Sequence, residues 1–133
     1  MTPRILRLFA LALALFAMNA QARTTGMANF DNLPVTNAKG EPASNAQLKA
    51  AVIQGAAARG WTVTDVRNDG ATTTIQVRGK HTVTTNVAWN AGQISVKYKD
   101  SVNMNYNGAE IHPSYNTWVQ NLVDAIRVAA SKP

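Results

Sequence analysis

The chain has 133 residues, of which 46% are hydrophobic and 15% charged, and its formal net charge is +6. This length fits one domain, and the apolar fraction is high enough to bury a core, which excludes a disordered tail. The absence of cysteine excludes disulfides, thiol nucleophiles and thiolate metal sites. With only two histidines, a multi-histidine metal centre is excluded as well.

The first 22 residues have the three parts of a cleaved secretory signal. Arg4 and Arg7 supply a positive start, residues 8–18 form an uncharged apolar run, and Ala20 and Ala22 are the small residues that a signal peptidase requires. A buried helix or a retained anchor is the alternative, but the run is short for a bilayer span. We expect cleavage after Ala22 and a soluble periplasmic protein, without a transmembrane span or a lipid anchor, since lipid attachment would need a cysteine.

Cleavage would remove two of the thirteen basic residues and none of the seven acidic ones, so the net charge would fall from +6 to +4. A mildly basic exported protein is a poor candidate for binding nucleic acid. Without disulfides, the mature chain must be stable from packing alone.

Residues 23–43 are rich in Gly, Asn and Pro, which predicts an extended N-terminal arm. Phe30, Leu33 and Val35 could hold this arm against the domain as a short edge strand. Residues 44–133 are expected to form a single domain. Its first helix begins at Ser44, which with Gln47 forms a capping box, and Gly60 ends it. Residues at helical spacing give this helix one apolar face: Leu48, Ala51, Val52 and Gly55.

Four strands are predicted at residues 61–67, 72–78, 81–89 and 93–100, each rich in β-branched or aromatic residues. Alternation gives the sheet one apolar face and one polar face, as expected for an antiparallel sheet covered on one side. The apolar face carries Trp61, Val63, Thr73, Ile75, Val77, Val83, Thr85, Val87, Trp89, Ile94, Val96 and Tyr98. The polar face carries Thr74, Gln76, Arg78, Thr82, Thr84, Asn86, Ser95, Lys97 and Lys99.

Turn residues set the expected register of this sheet. A three-residue loop ending in Gly70 would place Val63 opposite Ile75. A tight loop at Ala91 and Gly92 would place Trp89 opposite Ile94.

A second helix is predicted to begin near Pro113, with a core-facing stripe of Tyr115, Trp118, Val119, Leu122, Ile126 and Ala129. The expected fold is therefore a two-layer α+β domain: helix, four-stranded antiparallel meander, helix, with both helices on one face of the sheet.

Several phrases resemble a family of small, uncharacterised bacterial exported proteins, many of them classed as lipoproteins. The clearest phrase is Ile111-His112-Pro113-Ser114-Tyr115-Asn116-Thr117-Trp118-Val119-Gln120-Asn121-Leu122. Supporting phrases are Arg59-Gly60-Trp61, the pair Arg78 and His81, Tyr98-Lys99-Asp100-Ser101 and Asn103-Met104-Asn105-Tyr106. The resemblance implies export and this fold, and it adds no mechanism. The chain departs from the lipoprotein members in having no cysteine.

Candidate catalytic residues are few. His112, at the entry to the second helix, could act as a base or ligand in its neutral form, and His81 could approach Asp100 or His112 at the sheet rim. The alternative for each is a structural role in local hydrogen bonding. The spacing is not that of a zinc motif, Ser101 lacks the glycines of a nucleophile elbow, and no cofactor or metal is expected.

Two candidate binding surfaces are predicted. One is a basic patch of Arg78, Lys97 and Lys99, with Lys80 nearby, that could contact anionic lipid, cell-wall polymer or an acidic protein. Its alternative is a solvated face whose lysines prevent aggregation. The other is a cleft where His112, Tyr115 and Asn116 meet the fourth strand. The three tryptophans are expected in the core.

The sequence favours an exported domain that binds an envelope component or a partner protein rather than catalysing a reaction. One alternative is a small hydrolase or metal-dependent enzyme that uses His81, Asp100 and His112. Another is an assembly protein that pairs through a sheet edge, with the first strand extended by the arm. The ligand and the oligomeric state do not follow from the sequence.

Overall fold

A computed structural model describes residues 23–133, so the predicted leader lies outside the described residues. Two helices, α1 (Asn45–Ala58) and α2 (Ser114–Ala130), accompany seven strands. The strands are β1 (Thr25–Gly26), β2 (Leu33–Pro34), β3 (Thr62–Thr64), β4 (Gly70–Val77), β5 (His81–Asn90), β6 (Gln93–Val102) and β7 (Glu110–Ile111). No helix within this range is long and apolar enough to cross a membrane.

The main sheet is antiparallel and has five strands in the order β2-β6-β5-β4-β3. A separate two-stranded sheet pairs β1 with β7. The α+β class and the antiparallel sheet agree with the prediction, but the expected four-stranded meander is extended by a fifth strand.

The core lies on one side of the main sheet. Val83, Val87, Ile94 and Val96 are buried together with the apolar stripes of both helices, whereas Lys97 is exposed. This sidedness follows from the alternation of apolar and polar residues, because a strand turns successive side chains to opposite faces. We call the polar side, away from the helices, the outer face.

The ends of α1 follow the predicted capping chemistry. The Ser44 side chain accepts a hydrogen bond from the Gln47 backbone N–H, and the Gln47 side chain accepts one from the Ser44 backbone N–H. Gly60 follows the helix with a φ of +79°, a conformation that costs glycine little. Pro113, as predicted, precedes the first residue of α2.

Helix α1 approaches the backbone of α2 closely at Gly55. A Cβ atom added at this glycine would lie 2.6 Å from the backbone nitrogen of Ile126, inside the normal contact distance. Only a residue without a side chain fits there, so the contact between the two helices depends on it.

The arm is part of the folded domain. Phe30 and Val35 are 5% and 1% exposed and belong to the core, and β2 pairs with the edge of β6. The arm thus contributes a short edge strand, as expected, and this strand has two residues and includes a proline, which a sheet accommodates at its edge. It lies at the opposite edge of the sheet from β3, so the arm does not extend the first predicted strand.

The predicted register of the first hairpin was wrong by two residues. Val63 lies opposite Thr73 rather than Ile75, because β3 ends at Thr64 and the chain loops through Asp65, where φ is +50°. Gly70 lies in β4 instead of the turn, and its carbonyl accepts from the N–H of Arg67. An even shift preserves the faces. The β5–β6 hairpin has the predicted register, with Trp89 opposite Ile94.

A β-bulge interrupts the pairing of β5 and β6. Thr84 lies opposite Asp100 and Thr85 opposite Tyr98, so Lys99 is an extra residue with no partner. One extra residue reverses the alternation beyond it. Consequently Asp100 lies on the outer face with Thr84, whereas Ser101 lies on the same side as the buried Val83.

We expect Gly55→Ala to lower the free energy of unfolding by about 1–3 kcal/mol, the usual cost of overpacking, despite the better helix propensity of alanine. Gln54→Ala, at an exposed neighbouring position on α1, is the matched control and should change stability little. Urea denaturation followed by circular dichroism measures both. An unchanged or increased stability of Gly55→Ala would show that the helices do not depend on this close approach.

Candidate functional site

The two histidines lie together at the rim between the sheet and α2. His81 begins β5 and His112 precedes α2, and their ring centroids are 6.0 Å apart with the planes inclined at 38°. The ring of Trp118 lies 6.5 Å from that of His81. The predicted approach of His81 to His112 is therefore present in the fold.

Hydrogen bonds give the two neutral rings different tautomers. His81 Nδ1 lies 2.8 Å from the Asn103 carbonyl oxygen, which can only accept, so this nitrogen carries the proton. His112 Nδ1 accepts from the backbone N–H of Ser114 at 3.1 Å, so the proton of a neutral His112 is on Nε2. His81 thus has its Nε2 lone pair available, whereas His112 presents an N–H donor.

Asp100 does not join the histidines. His81 shares the parity of Val83, whereas Asp100 pairs with Thr84 on the outer face and accepts from the N–H of Ser101 at 2.9 Å. The bulge at Lys99 is the physical reason, because it reverses the side on which the following residues lie. The sheet therefore separates this carboxylate from both imidazoles.

The histidine pair is arranged for hydrogen bonding rather than for metal binding. Among residues 23–133, no three His, Asp or Glu side chains come together as metal ligands do. To bind a cation through Nε2, His112 would have to move its proton to Nδ1 and lose the bond from Ser114. The arrangement also provides no carboxylate to orient either ring as a general base.

At the predicted cleft of His112, Tyr115 and Asn116, the arm packs beside α2 and leaves a depression of about 300 Å³ between Met27, Lys97 and Tyr115. The Asn116 side chain donates to the Gly26 carbonyl at 3.0 Å and accepts from the Ala28 N–H at 2.9 Å, so its amide is fully engaged with backbone. Tyr115 is only 2% exposed. These two residues hold the arm against α2.

Tyr115 belongs to a cluster of three tyrosines. Its ring meets Tyr98 edge-on at 6.0 Å, and Tyr98 stacks on Tyr106 at 4.1 Å. Burial raises the pKa of Tyr115 from 10.0 to about 12, with smaller contributions in the same direction from Tyr98 and Tyr106. The hydroxyl of Tyr98 shares a 2.7 Å hydrogen bond with Ser101.

The three predicted basic residues do not form one cluster. Arg78 lies in the β4–β5 turn with a φ of +57°, next to the row where Val77 faces His81. Lys97 lies opposite Asn86, five residues along β5 from His81. At ~3.3 Å per residue, the row of Lys97 is about 16 Å from the row next to Arg78. Lys99, in the bulge, lies closer to Lys97 than to Arg78 along the sheet.

Lys97 belongs instead to an ordered polar surface on the outer face. Register aligns the polar side chains of four neighbouring strands in two rows: Thr62, Thr74, Thr84 and Asp100 in one, and Thr64, Thr72, Asn86 and Lys97 in the next. Neighbouring hydroxyls contact each other, with Thr74 and Thr84 3.2 Å apart. This face is not covered by either helix.

A depression of about 510 Å³ lies at the end of the outer face, beside the β5–β6 hairpin. Its lining includes amide, hydroxyl and carboxylate side chains, among them Asn32, Asp69, Asn90, Gln93 and Ser95. The rows and the depression lie on the same face of the sheet, and within the rows Thr72 is buried, with 7% of its surface exposed.

The tryptophans differ in their surroundings. Trp89 is buried and donates to the Asn68 carbonyl at 2.8 Å, and Trp61 is buried, as predicted. Trp118 is only partly buried and, with Trp61, lines a depression of about 320 Å³. Sequence analysis missed this depression. The three-residue spacing of Trp118 and Asn121 on α2 was the signal available for it.

Comparison of the chain with protein-family models, with curated proteins and with solved structures gave no match.

Tyr115 predicts an alkaline pH dependence of stability. As the pH rises through 10, the unfolded chain loses this phenolic proton before the folded protein does, so the free energy of unfolding falls between about pH 10 and 12. This contribution to the slope is at most about 1.4 kcal/mol per pH unit. Denaturant titrations across this range should show a shallower fall for Tyr115→Phe. Tyr106→Phe, at a more exposed position, should keep most of the fall in the free energy of unfolding. Equal slopes in Tyr115→Phe and the parent protein would contradict the assignment of this fall to Tyr115.

Proposed function

We propose that the protein is an exported binding module that docks the outer face of its sheet on an acidic, hydroxyl-rich polymer of the cell envelope. The observation that carries this proposal is the uncovered outer face, on which two rows of polar side chains cross four strands in register. Export itself rests on the predicted leader at residues 1–22.

The hydrogen-bonding chemistry of the outer face suits a polymer that presents many hydroxyl groups. A threonine hydroxyl offers one donor and two acceptor sites, so the bond between Thr74 and Thr84 leaves capacity for a ligand. Asn86 and the amides around the hairpin depression add both donors and acceptors. A sugar polymer presents the same mixture of groups and lies flat on such a surface.

The charges of the outer face favour anionic groups on the ligand. Lys97 and Lys99 are exposed beside the polar rows. The carboxylates on this face are Asp100 on β6 and Asp69 at the hairpin depression, some distance along the sheet from Lys99. Residues 23–133 carry eleven basic and seven acidic side chains, a net +4, which adds a weak attraction for polyanions.

A lipid surface fits the outer face less well. Recognition of anionic bilayers usually uses a dense group of basic residues or an inserted apolar face. In the described part of the chain, the exposed large hydrophobic residues are scattered: Ile53 and Val128 lie on the helices, and Val66 and Tyr106 lie in loops. Val102 adds a small apolar area at the far end of β6.

The paired histidines supply the one observation in favour of an enzyme, but their arrangement does not support it. Asp100 is on the opposite side of the sheet, and His112 is held by Ser114 in a tautomer that donates. Binding therefore accounts for more of the surface chemistry than catalysis does.

The double variant Lys97→Ser/Lys99→Ser should weaken binding to a soluble acidic polysaccharide, polygalacturonate, by about fivefold, as expected for two exposed charge contacts. Lys39→Ser/Lys132→Ser removes the same charge elsewhere and is the matched control. Calorimetric titrations of residues 23–133, repeated at low and high salt, measure both, with neutral dextran and phosphatidylglycerol vesicles as comparison ligands.

The proposal is supported if the protein binds polygalacturonate, if salt weakens this binding, and if Lys97→Ser/Lys99→Ser weakens it while Lys39→Ser/Lys132→Ser does not. Equal losses in the two variants would mean that net charge, not this face, drives binding. Binding to vesicles but not to either polysaccharide would replace the proposed ligand with lipid.

A further inference from the structure

A second surface, on the helix side of the molecule, has the composition of a small-molecule site. The depression of about 320 Å³ is lined by Ala58, Arg59, Trp61, Ile75, Trp118 and Asn121. Ala58, Arg59 and Asn121 also line an adjoining depression of about 460 Å³ between α1 and α2. The two form one groove, and it lies apart from the outer face.

Three polar groups of this groove have no partner among residues 23–133. The indole N–H of Trp61 is buried without a hydrogen bond, and the residue as a whole is 4% exposed. Its backbone N–H, in contrast, donates to the Ala56 carbonyl. The Arg59 guanidinium has no acidic partner, because both ion pairs in this range belong to Arg67. The Asn121 amide makes no side-chain hydrogen bond, unlike its neighbour Gln120.

An unpaired buried donor destabilises a fold unless something accepts its proton, so the indole of Trp61 needs an explanation. The other two unpartnered groups, the Arg59 guanidinium and the Asn121 amide, also carry N–H donors. Of the three, the exposed Arg59 guanidinium and the Asn121 amide line the groove where a ligand can reach them, and the cation selects a ligand that accepts hydrogen bonds and carries negative charge.

The remaining lining is apolar. Trp118 and Ile75 provide a flat aromatic surface and an aliphatic wall, and Ala58 leaves room beside them. Ligand sites commonly combine such a lining with a few polar groups that fix orientation. The volume suits a ligand of one or two fused rings.

We propose that this groove binds a small aromatic carboxylate. Its ring lies against Trp118, and its carboxylate accepts hydrogen bonds from Arg59 and Asn121. The site is independent of the outer face and goes beyond the function proposed above.

The charges around the groove are compatible with an anion. In the adjoining depression, Asp124 is the one acid among the lining residues, and its carboxylate already accepts from Gln120 Nε2 at 2.9 Å. Lys132 lies in the same depression and offsets it. The guanidinium of Arg59 is therefore the charge that a ligand in the tryptophan-lined part meets first.

The indole N–H signals of the three tryptophans provide a direct test by ¹H–¹⁵N NMR. Residues 23–133 are titrated with 2-naphthoate, with neutral 2-naphthylmethanol, which keeps the rings, and with hexanoate, which keeps the carboxylate. Naphthoate should shift the Trp61 and Trp118 signals. The Trp89 signal should stay in place, since its N–H already donates to Asn68.

Arg59→Gln should weaken naphthoate binding by about fivefold or more, and Asn121→Ala should weaken it to a smaller extent. Arg23→Gln removes an exposed guanidinium elsewhere and is the matched control. Arg59 is exposed and Asn121 is partly exposed, so both variants should keep the parent melting temperature, which is checked first.

Shifts confined to Trp61 and Trp118, tighter binding of naphthoate than of the two comparison compounds, and loss in Arg59→Gln would support the site. No shift at Trp61 and Trp118, equal affinity for naphthylmethanol, or unchanged binding in Arg59→Gln would overturn it. The titration is repeated in Lys97→Ser/Lys99→Ser, where unchanged naphthoate binding separates this site from the polymer surface.

Discussion

The difference between the two sides of the sheet is the constraint on which the rest of the structure depends. Valines and isoleucines on one side are buried beneath α1 and α2, and threonines, asparagines and lysines occupy the other. Because this chain has no disulfides, burial of that single layer has to supply the stability of the domain. The close approach at Gly55 lets the two helices cover the layer together. The same arrangement leaves the outer face free for a ligand.

The bulge at Lys99 determines on which side of the sheet Asp100 lies. An uninterrupted β6 would have left Asp100 on the helix side, close to the histidine rim. The extra residue transfers Asp100 to the outer face and brings Ser101 to the hydroxyl of Tyr98 instead. A single extra residue thus separates the acid from the two histidines and places it on the polar outer face.

The arm determines which clefts remain open. Phe30 and Val35 complete the core, and Asn116 fixes the backbone at Gly26 and Ala28, so the arm packs beside α2. The arm also reaches the outer face, where Asn32 lines the hairpin depression and its N–H donates to Ser95. No arm residue lines the groove at Trp61 and Trp118.

The sequence was sufficient to predict the elements whose signals are local and periodic. The capping box at Ser44, the apolar stripe of α2, the two faces of the sheet and the tight β5–β6 hairpin each depend on residues close together in the chain. Even the wrong register at Val63 left the faces intact, because it was wrong by two residues. Of the candidate site, the sequence correctly placed Lys97 on the polar face and His81 near His112.

Other features depend on contacts between distant parts of the chain, and these only the tertiary structure decided. The two-residue strand β2 exists because β6 offers it an edge, and the Lys99 bulge results from the pairing of two long strands. The groove at Trp61 joins residues from α1, β4 and α2, so no single stretch of sequence contains it. Local patterns determine which residues face the core. The neighbours of each residue are set by long-range packing, and those neighbours decide which polar groups meet and which are left to bind something else.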